Sequence, residues 1–171
     1  RVLLVAEEAT QQSITDTLAQ RWSQASTPSD GFKALLLPER REQVRQIWTT
    51  NTQVNFCAKA YPTVPSSHPD HAALSVLGGF LRNGFLHRTI REQGGAYGGG
   101  ADQDGNSASF RFYSYRDPRL VETLKDYDRA IEWVLSGPHD ERQVEEAILG
   151  VNSSMEKSNP PSGEAQQADY N

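Results

Sequence analysis

Residues Leu81 to Asp117 read LRNGFLHRTIREQGGAYGGGADQDGNSASFRFYSYRD, and three signals in this run decide the fold. The first is the end of a long apolar pattern. Ala73, Leu74, Leu77, Phe80, Leu81, Phe85, Leu86 and Ile90 recur every three or four residues, which predicts one helical stripe. The helix should open at Pro69-Asp70 and stop at Gly94, in the position of a left-handed C-cap. The second signal is a hairpin. The runs from Ala96 to Asp102 and from Ser107 to Tyr115 flank Asp104-Gly105-Asn106, a turn that strands of period two require. In the second strand Ala108, Phe110 and Phe112 share one face, and Ser109, Arg111, Tyr113 and Tyr115 share the other. The third signal is the glycine cluster: eight of the 13 glycines lie between Gly78 and Gly100. Gly78 and Gly79 fall inside the helix, where each costs about 1 kcal/mol against Ala. A close approach by another backbone would justify that cost.

Outward from this centre, residues Thr52 to Tyr61 alternate, with Val54, Phe56, Ala58 and Ala60 facing one way and Asn55, Cys57 and Lys59 the other. That predicts a strand ended by Pro62 and Pro65. Upstream, Val2 to Ala6 is a short apolar run expected as a buried strand, and Thr10 to Gln24 carries Ile14, Leu18 and Trp22 on one helical stripe. Thr27 to Gly31 is loop chemistry, Ala34 to Leu37 a second short strand stopped by Pro38, and Glu39 to Ile47 a charged surface helix or loop. Downstream, Asp117-Pro118 starts a helix with Leu120, Leu124, Tyr127, Ile131 and Val134 in a stripe, broken by Gly137-Pro138. Asp140 can cap a last helix carrying Val144, Ile148, Val151 and Met155. From about residue 159 to 171, Pro, Ser, Gly and Gln predict a loop or frayed end. Hairpins without regular βαβ alternation argue an α+β fold: one mainly antiparallel sheet with helices packed on one face. A single domain over 1–171 is expected.

Composition narrows the function. At 171 residues the chain can hide roughly 70% of its unfolded surface. A formal charge of -5 and a pI near 5.4 argue against a generally basic nucleic-acid binder. The strand Phe110 to Tyr115 has aromatic spacing loosely like an RNA-stacking strand, but it lacks the leading basic-Gly pair. No apolar run approaches the roughly 20 residues of a membrane span. The one cysteine, Cys57, excludes an internal disulfide framework and fits a reducing compartment. It sits in a strand, with no helix start to lower its pKa, so it reads as a small buried hydrophobe before it reads as a nucleophile.

The glycine cluster adjoins a positive patch. Arg82, Arg88 and Arg91 are basic, and no acid occurs from Leu81 to Arg91. Arg91 in the last helical turn can simply neutralise the helix dipole, and Tyr97 at a strand start can simply pack on the sheet. A helix end, a glycine turn and a strand start can also aim a guanidinium and a phenol at one point. Both donate hydrogen bonds and suit a substrate carbonyl or developing oxyanion. Gly98-Gly99-Gly100 matches neither GxGxxG nor GxxxxGK[ST], so a phosphate cradle is disfavoured. Glycines in a strand also let another backbone lie alongside, as a peptide does in β-augmentation. His68 and His71 flank Pro69 without a third ligand, and neither HExxH nor HxxEH occurs, so the histidines, His87 and His139 among the four, read as solvated helix-start residues and not as metal ligands. The acids from Asp117 to Glu146 read as solvated helix faces.

Residues Leu81 to Ala101, centred on Arg91-Glu92-Gln93-Gly94-Gly95-Ala96-Tyr97-Gly98-Gly99-Gly100, resemble the C-terminal half of the pitrilysin/insulinase-type zinc peptidases, the inverzincins, in their presequence-protease branch. Ser114 to Pro118 and the helix from Leu124 to Trp133 extend the resemblance, which runs from about Asp70 to Ile148. It implies a metallopeptidase-like α+β domain, one of several in two halves that close around an unstructured peptide. It implies that an N-terminal half holds zinc through HxxEH and a distal Glu, and that Arg91 and Tyr97, with Gly98 and Gly99 beside them, hold the substrate backbone near the scissile bond. This chain has no HxxEH, so it carries no catalytic residue or metal of its own and is expected to be inert alone. With its start at Arg1 and its end at Asn171 it is expected to be a piece of a larger multidomain peptidase. The implied partners are a peptide substrate and the N-terminal half or a paired catalytic subunit; nucleic acid and a membrane span are not implied. A soluble location, cytoplasmic or organellar, is favoured. The superfamily also contains inactive structural subunits, which is the alternative function.

Overall fold

Strand β2 (Gly98–Asp104) and strand β3 (Ser109–Asp117) form the expected hairpin, joined by a turn at 105–108, in a computed structural model that describes residues 3–24, 42–156 and 159–170. Strand β1 (Asn55–Pro62) pairs with the other side of β3, so the antiparallel sheet has the order β1-β3-β2. Alternation along β3 sorts its side chains: Phe110, Phe112 and Ser114 are buried, while Arg111, Tyr113 and Tyr115 face solvent. Ala108 lies in the turn, not in the strand, with φ +49°. In β1 the buried member is Cys57, so the face carrying Phe56, Ala58 and Ala60 is the outer one. The register slips between Asn55 (opposite Asp117) and Cys57 (opposite Ser114), which places a bulge in β3 at Tyr115-Arg116; Arg116 has φ +50°. Bulges re-aim side chains and bend the strand.

Helix α1 (Glu8–Trp22) precedes the sheet. Helix α2 (His71–Leu81) runs directly into a π-helical segment (Arg82–Gln93), where the spacing had predicted α-helix throughout. Leu81 and Leu86, five residues apart, are both fully buried, and so is Ile90; the wider turn of a π-helix brings residues five apart to one side. Helices α3 (Val121–Leu135) and α4 (Glu141–Met155) follow. The core gathers Cys57, Leu81, Leu86, Ile90, Ala96, Ala101, Phe110, Phe112, Tyr127 and Ala130, with Phe112 stacked on Tyr127 at 5.5 Å. The architecture is α+β, with helices packed against a three-stranded antiparallel sheet. Asp140 caps α4 as expected, accepting from the Arg142 amide at 3.0 Å.

Several expectations need correction. The helix stops at Gln93, but Gly94 is right-handed (φ -84°), and the left-handed residue is Gly95 (φ +79°). Leu3 to Ala6 form no strand, and Leu3 and Val5 are 44% and 43% exposed; a strand needs a ladder partner, and among the described residues this run has none. Residues 159–171 were expected as a loop or frayed end, but Pro161–Tyr170 form helix α5. Pro suits a first helical position, and Glu164 lies in the first turn. Along α4, Val144, Ile148 and Met155 are 39%, 42% and 76% exposed, Val151 is half-buried and Ala147 is buried. Helix α2 meets α4 through small residues, Gly79 against Ala147. The expected loop at Thr27 to Gly31 and strand at Ala34 to Leu37 lie outside the described residues. The contacts group the chain into two compact units, Thr49–Lys157 and Arg1–Trp48 with Ser158–Asn171. All three strands belong to the first, and α1 has no buried residue to add to a core.

The two helix glycines differ in kind. A Cβ on Gly78 would stand 2.9 Å from the Ala101 carbonyl oxygen and 3.0 Å from the Asp102 Cα, both backbone of β2, whereas one on Gly79 would meet Ala147 at an ordinary 3.8 Å. Gly78→Ala should therefore lower the denaturant midpoint. Gly79→Ala should leave it unchanged or raise it, by up to about 1 kcal/mol of helix propensity. Equal effects in the two variants, by chemical denaturation, would contradict this packing.

Candidate substrate-binding site

Arg91 occupies the last turn of the π-helical segment. The chain then reverses tightly: the Gly95 amide donates to the Arg91 carbonyl at 3.0 Å, and the Ala96 amide donates to the Ile90 carbonyl at 3.1 Å. The positive φ of Gly95 makes this reversal possible without strain. Tyr97 follows, its amide donating to the Arg116 carbonyl in the β3 bulge at 3.4 Å, and β2 begins at the next residue. The structure thus sets Arg91 and Tyr97 on the two sides of one glycine turn. Both side chains are exposed, Tyr97 by 69%, and among the described residues neither has a hydrogen bond or ion pair. Their donor groups are free. Tyr97 rests edge-on against Tyr115 (5.8 Å), and Tyr115 against Phe56 (5.2 Å), so three aromatic rings form a row on the outer face of the sheet.

The three strand glycines have separate surroundings. Nothing lies within 4 Å of the place a Gly98 Cβ would take. A Cβ on Gly99 would strike Ile90 Cγ2 at 2.9 Å, so this glycine admits the helix on the inner side. One on Gly100 would meet the Tyr113 hydroxyl at 3.1 Å and the Arg82 stem at 3.2 Å. Of the three, only Gly98 opens onto free space.

Sequence reasoning missed the residues that hold this turn. Asp117 and Asp126, expected on solvated helix faces, are buried. Asp117 accepts from the Arg119 amide at 2.9 Å and from the Thr123 hydroxyl at 2.7 Å, which ties the end of β3 to the first turn of α3. The Asn55 amide donates to the Asp117 and Arg119 carbonyls at 3.2 and 3.3 Å. The Arg119 guanidinium donates to the Thr89 carbonyl at 3.3 Å and stands 3.2 Å from Asp126 Oδ2, an ion pair without hydrogen-bond alignment. Arg129 takes the other oxygen of Asp126 at 3.0 Å. The one readable hint was Asp-Pro at a helix start, a capping signal that carries no information about burial.

The other candidates separate clearly. His71 packs its ring against the hairpin turn at Gly105, and His139 reaches the Val134 carbonyl at 3.0 Å beside Trp133. His68 accepts from the Asp70 amide, and His87 stands 3.5 Å from Glu92. Among the described residues no group of three or more His, Cys, Asp or Glu is placed to hold a metal ion. A shallow hollow of about 380 Å³ on the outer sheet face is lined in part by Ala58, Ala60 and Tyr113, where Arg111 bridges Asp102 (2.5 Å) and Asp104 (3.0 Å).

The fold is an α+β domain in which a helix C-terminus, a glycine turn and the start of an antiparallel hairpin carry Arg91 and Tyr97. The model of the family described as PreP C-terminal domain matches residues 45–167, and the chain belongs to that family. Similar curated proteins include the mitochondrial presequence protease of Mus musculus, 43% identical over 109 residues (64% of this chain, 10% of that protein). The presequence protease of Danio rerio is 40% identical over 120 residues (70% and 12%), and that of Schizosaccharomyces pombe 31% over 145 residues (83% and 15%). The chain therefore spans only 10%, 12% and 15% of the length of these relatives.

Cys57 is buried, and burial pushes its thiol above the ordinary 9.0; burial likewise pushes the Tyr127 phenol, ordinarily 10.0, well upward. Both groups stay protonated in the folded chain at pH values where the unfolded chain ionises. Their contribution to stability is complete below pH 9.0 and is lost as the pH rises through the raised folded values. The denaturant midpoint should fall above pH 9.0, with Tyr127→Phe flattening the part beyond 10.0. Iodoacetamide at pH 8 should label Cys57 slowly unless denaturant is added; rapid native labelling would show an accessible thiolate.

Proposed function

We propose that this chain is the substrate-holding part of a zinc metalloendopeptidase that degrades unstructured peptides. One observation carries the reading: two exposed, unpaired donors, Arg91 and Tyr97, flank a single tight glycine turn. A guanidinium and a phenol together can grip a peptide carbonyl and stabilise the negative charge that develops on it. Gly98, with open space at its Cβ position, leaves room for a substrate main chain next to Tyr97. Membership of the PreP C-terminal domain family, and relatives named presequence protease, support a peptidase context.

On this reading the zinc and its ligands belong to the N-terminal half of the polypeptide or to a paired catalytic subunit, and this chain contributes binding and orientation. The relatives' names also contain the word mitochondrial, which supports an organelle lumen. No helix among the described residues is long and apolar enough to cross a membrane.

In the full-length protein, Arg91→Ala and Tyr97→Phe should each lower kcat by about 10²–10³-fold while leaving thermal unfolding unchanged, since both side chains are exposed. Wild-type turnover in both variants would refute the role. The isolated 171-residue chain should not cleave unstructured peptides; chelator-sensitive cleavage by it alone would contradict a zinc site elsewhere.

A further inference from the structure

We propose that Arg119 is a positioning residue for the Arg91–Tyr97 pair, acting through the glycine turn between them; the inference rests on the reading of that pair given above. Four observations converge on it. The Arg119 guanidinium donates to the Thr89 carbonyl near the C-terminal end of the π-helical segment. It thereby places a positive charge at the negative end of the helix dipole, two residues before Arg91.

The same guanidinium occupies the volume beside Gly94. A Cβ on that residue would lie 2.0 Å from Arg119 Nη2, 2.4 Å from its Cζ and 2.4 Å from the Ile90 carbonyl oxygen, so both the guanidinium and the helix end crowd this position. Gly94 is right-handed, so glycine is needed there for space and not for backbone conformation. The turn and the guanidinium are fitted to each other.

The guanidinium is itself held. Asp126, 4% exposed at its side chain, pairs with it at 3.2 Å, and the fully buried Asp117 carboxylate accepts from its backbone amide at 2.9 Å. Two carboxylates from two elements fix one arginine, which leaves it little freedom to swing away.

Finally, the far side of the turn is latched to the same segment. The Tyr97 amide donates to the Arg116 carbonyl, where Arg116 has φ +50° in the bulge. A left-handed non-glycine residue is held only when its surroundings over-determine it. Here Asn55 grips the Asp117 and Arg119 carbonyls just beyond it. The stretch 116–119 thus contacts Thr89 and Gly94 on the Arg91 side of the turn and Tyr97 on the other side. A misplacement of about 1 Å at a reacting group can cost 10²-fold in rate.

The test uses the full-length protein. Arg119→Met should lower kcat by about 10²-fold with KM near wild type, because the loss is of transition-state alignment and not of general binding. Hydrogen exchange read by mass spectrometry should quicken across residues 90–97, which carry the Gly95 and Ala96 amides, and stay unchanged in α2. Arg119→Lys, which keeps the charge but not the fork, should recover part of the rate. In a Tyr97→Phe background, Arg119→Met should add little further loss. Unchanged exchange across 90–97 in folded Arg119→Met, or a fully additive loss in the double variant, would overturn the proposal. If Arg119→Met does not fold, Arg119→Lys takes its place, and wild-type exchange with wild-type rate in it would overturn the proposal equally. Should Arg91→Ala and Tyr97→Phe turn over like wild type, the reading of the pair has failed, and exchange across 90–97 alone decides whether Arg119 sets the turn.

Discussion

One guanidinium against one glycine organises this domain. Arg119 fills the space beside Gly94 and caps the π-helical segment at Thr89, while Asp126 and the Asp117-anchored backbone hold it from behind. The ion pairs of Arg111 and of Lys59 with Asp128 are substantially exposed, where such pairs contribute about 0–1 kcal/mol. Asp117 and Asp126 are different: their side chains are 0% and 4% exposed. Removing one partner of a buried pair costs about 3–5 kcal/mol, although the pair as a whole gains little over an apolar substitute. The network matters less for total stability than for fixing one geometry where the helix gives way to the sheet.

That geometry determines what each face of the sheet does. The inner face is closed by Leu86, Ile90 and Tyr127 against Phe110 and Phe112. Two close approaches are built into it, Gly78 on the β2 backbone and Gly99 under Ile90. The outer face is left with Phe56, Tyr115 and Tyr97 in a row and Gly98 beside them. Each aromatic is 47% or more exposed. Tyr97 and Tyr115 add polar tips to this apolar row, a combination that supplies contact area with few rotamers to lose on a wet surface.

Much of the fold was legible in the sequence because it rests on local period. Phe110 and Phe112 alternate with Arg111 and Tyr113, and Asp104-Gly105-Asn106 marks the turn, so the hairpin and its inner face follow from neighbours in the chain. The pair Arg91 and Tyr97 was legible as two donors across a glycine turn, together with the family resemblance they carry. Other features were out of reach. In β1 the more apolar face, Phe56 with Ala58 and Ala60, points outward, because pairing with β3 places Cys57 against Ser114. In α4 the buried residue is Ala147, which faces Gly79, and not a member of the Val144–Ile148–Met155 stripe. Asp117 and Asp126 look like any surface acids until Arg119 and Thr123 are brought to them.

The sequence by itself determined strand β1, the β2–β3 hairpin signal, helices α1 to α4, the place of the glycine cluster and the identity of the two candidate donors. These depend on spacing and on the intrinsic preferences of Gly, Pro and Asp, which act over a few residues. Only the tertiary structure decided which glycine is left-handed, which face of β1 is buried, and which acids are buried partners of an arginine. The burial behind those outcomes depends largely on elements 20 or more residues apart meeting in the same space: Arg119 against Gly94, Asn55 against the carbonyls of Asp117 and Arg119, and Gly78 against the backbone of Ala101, whereas the acids that pair with Arg119 are near it in sequence. A side chain's role there is set by what arrives next to it, and no local pattern records that.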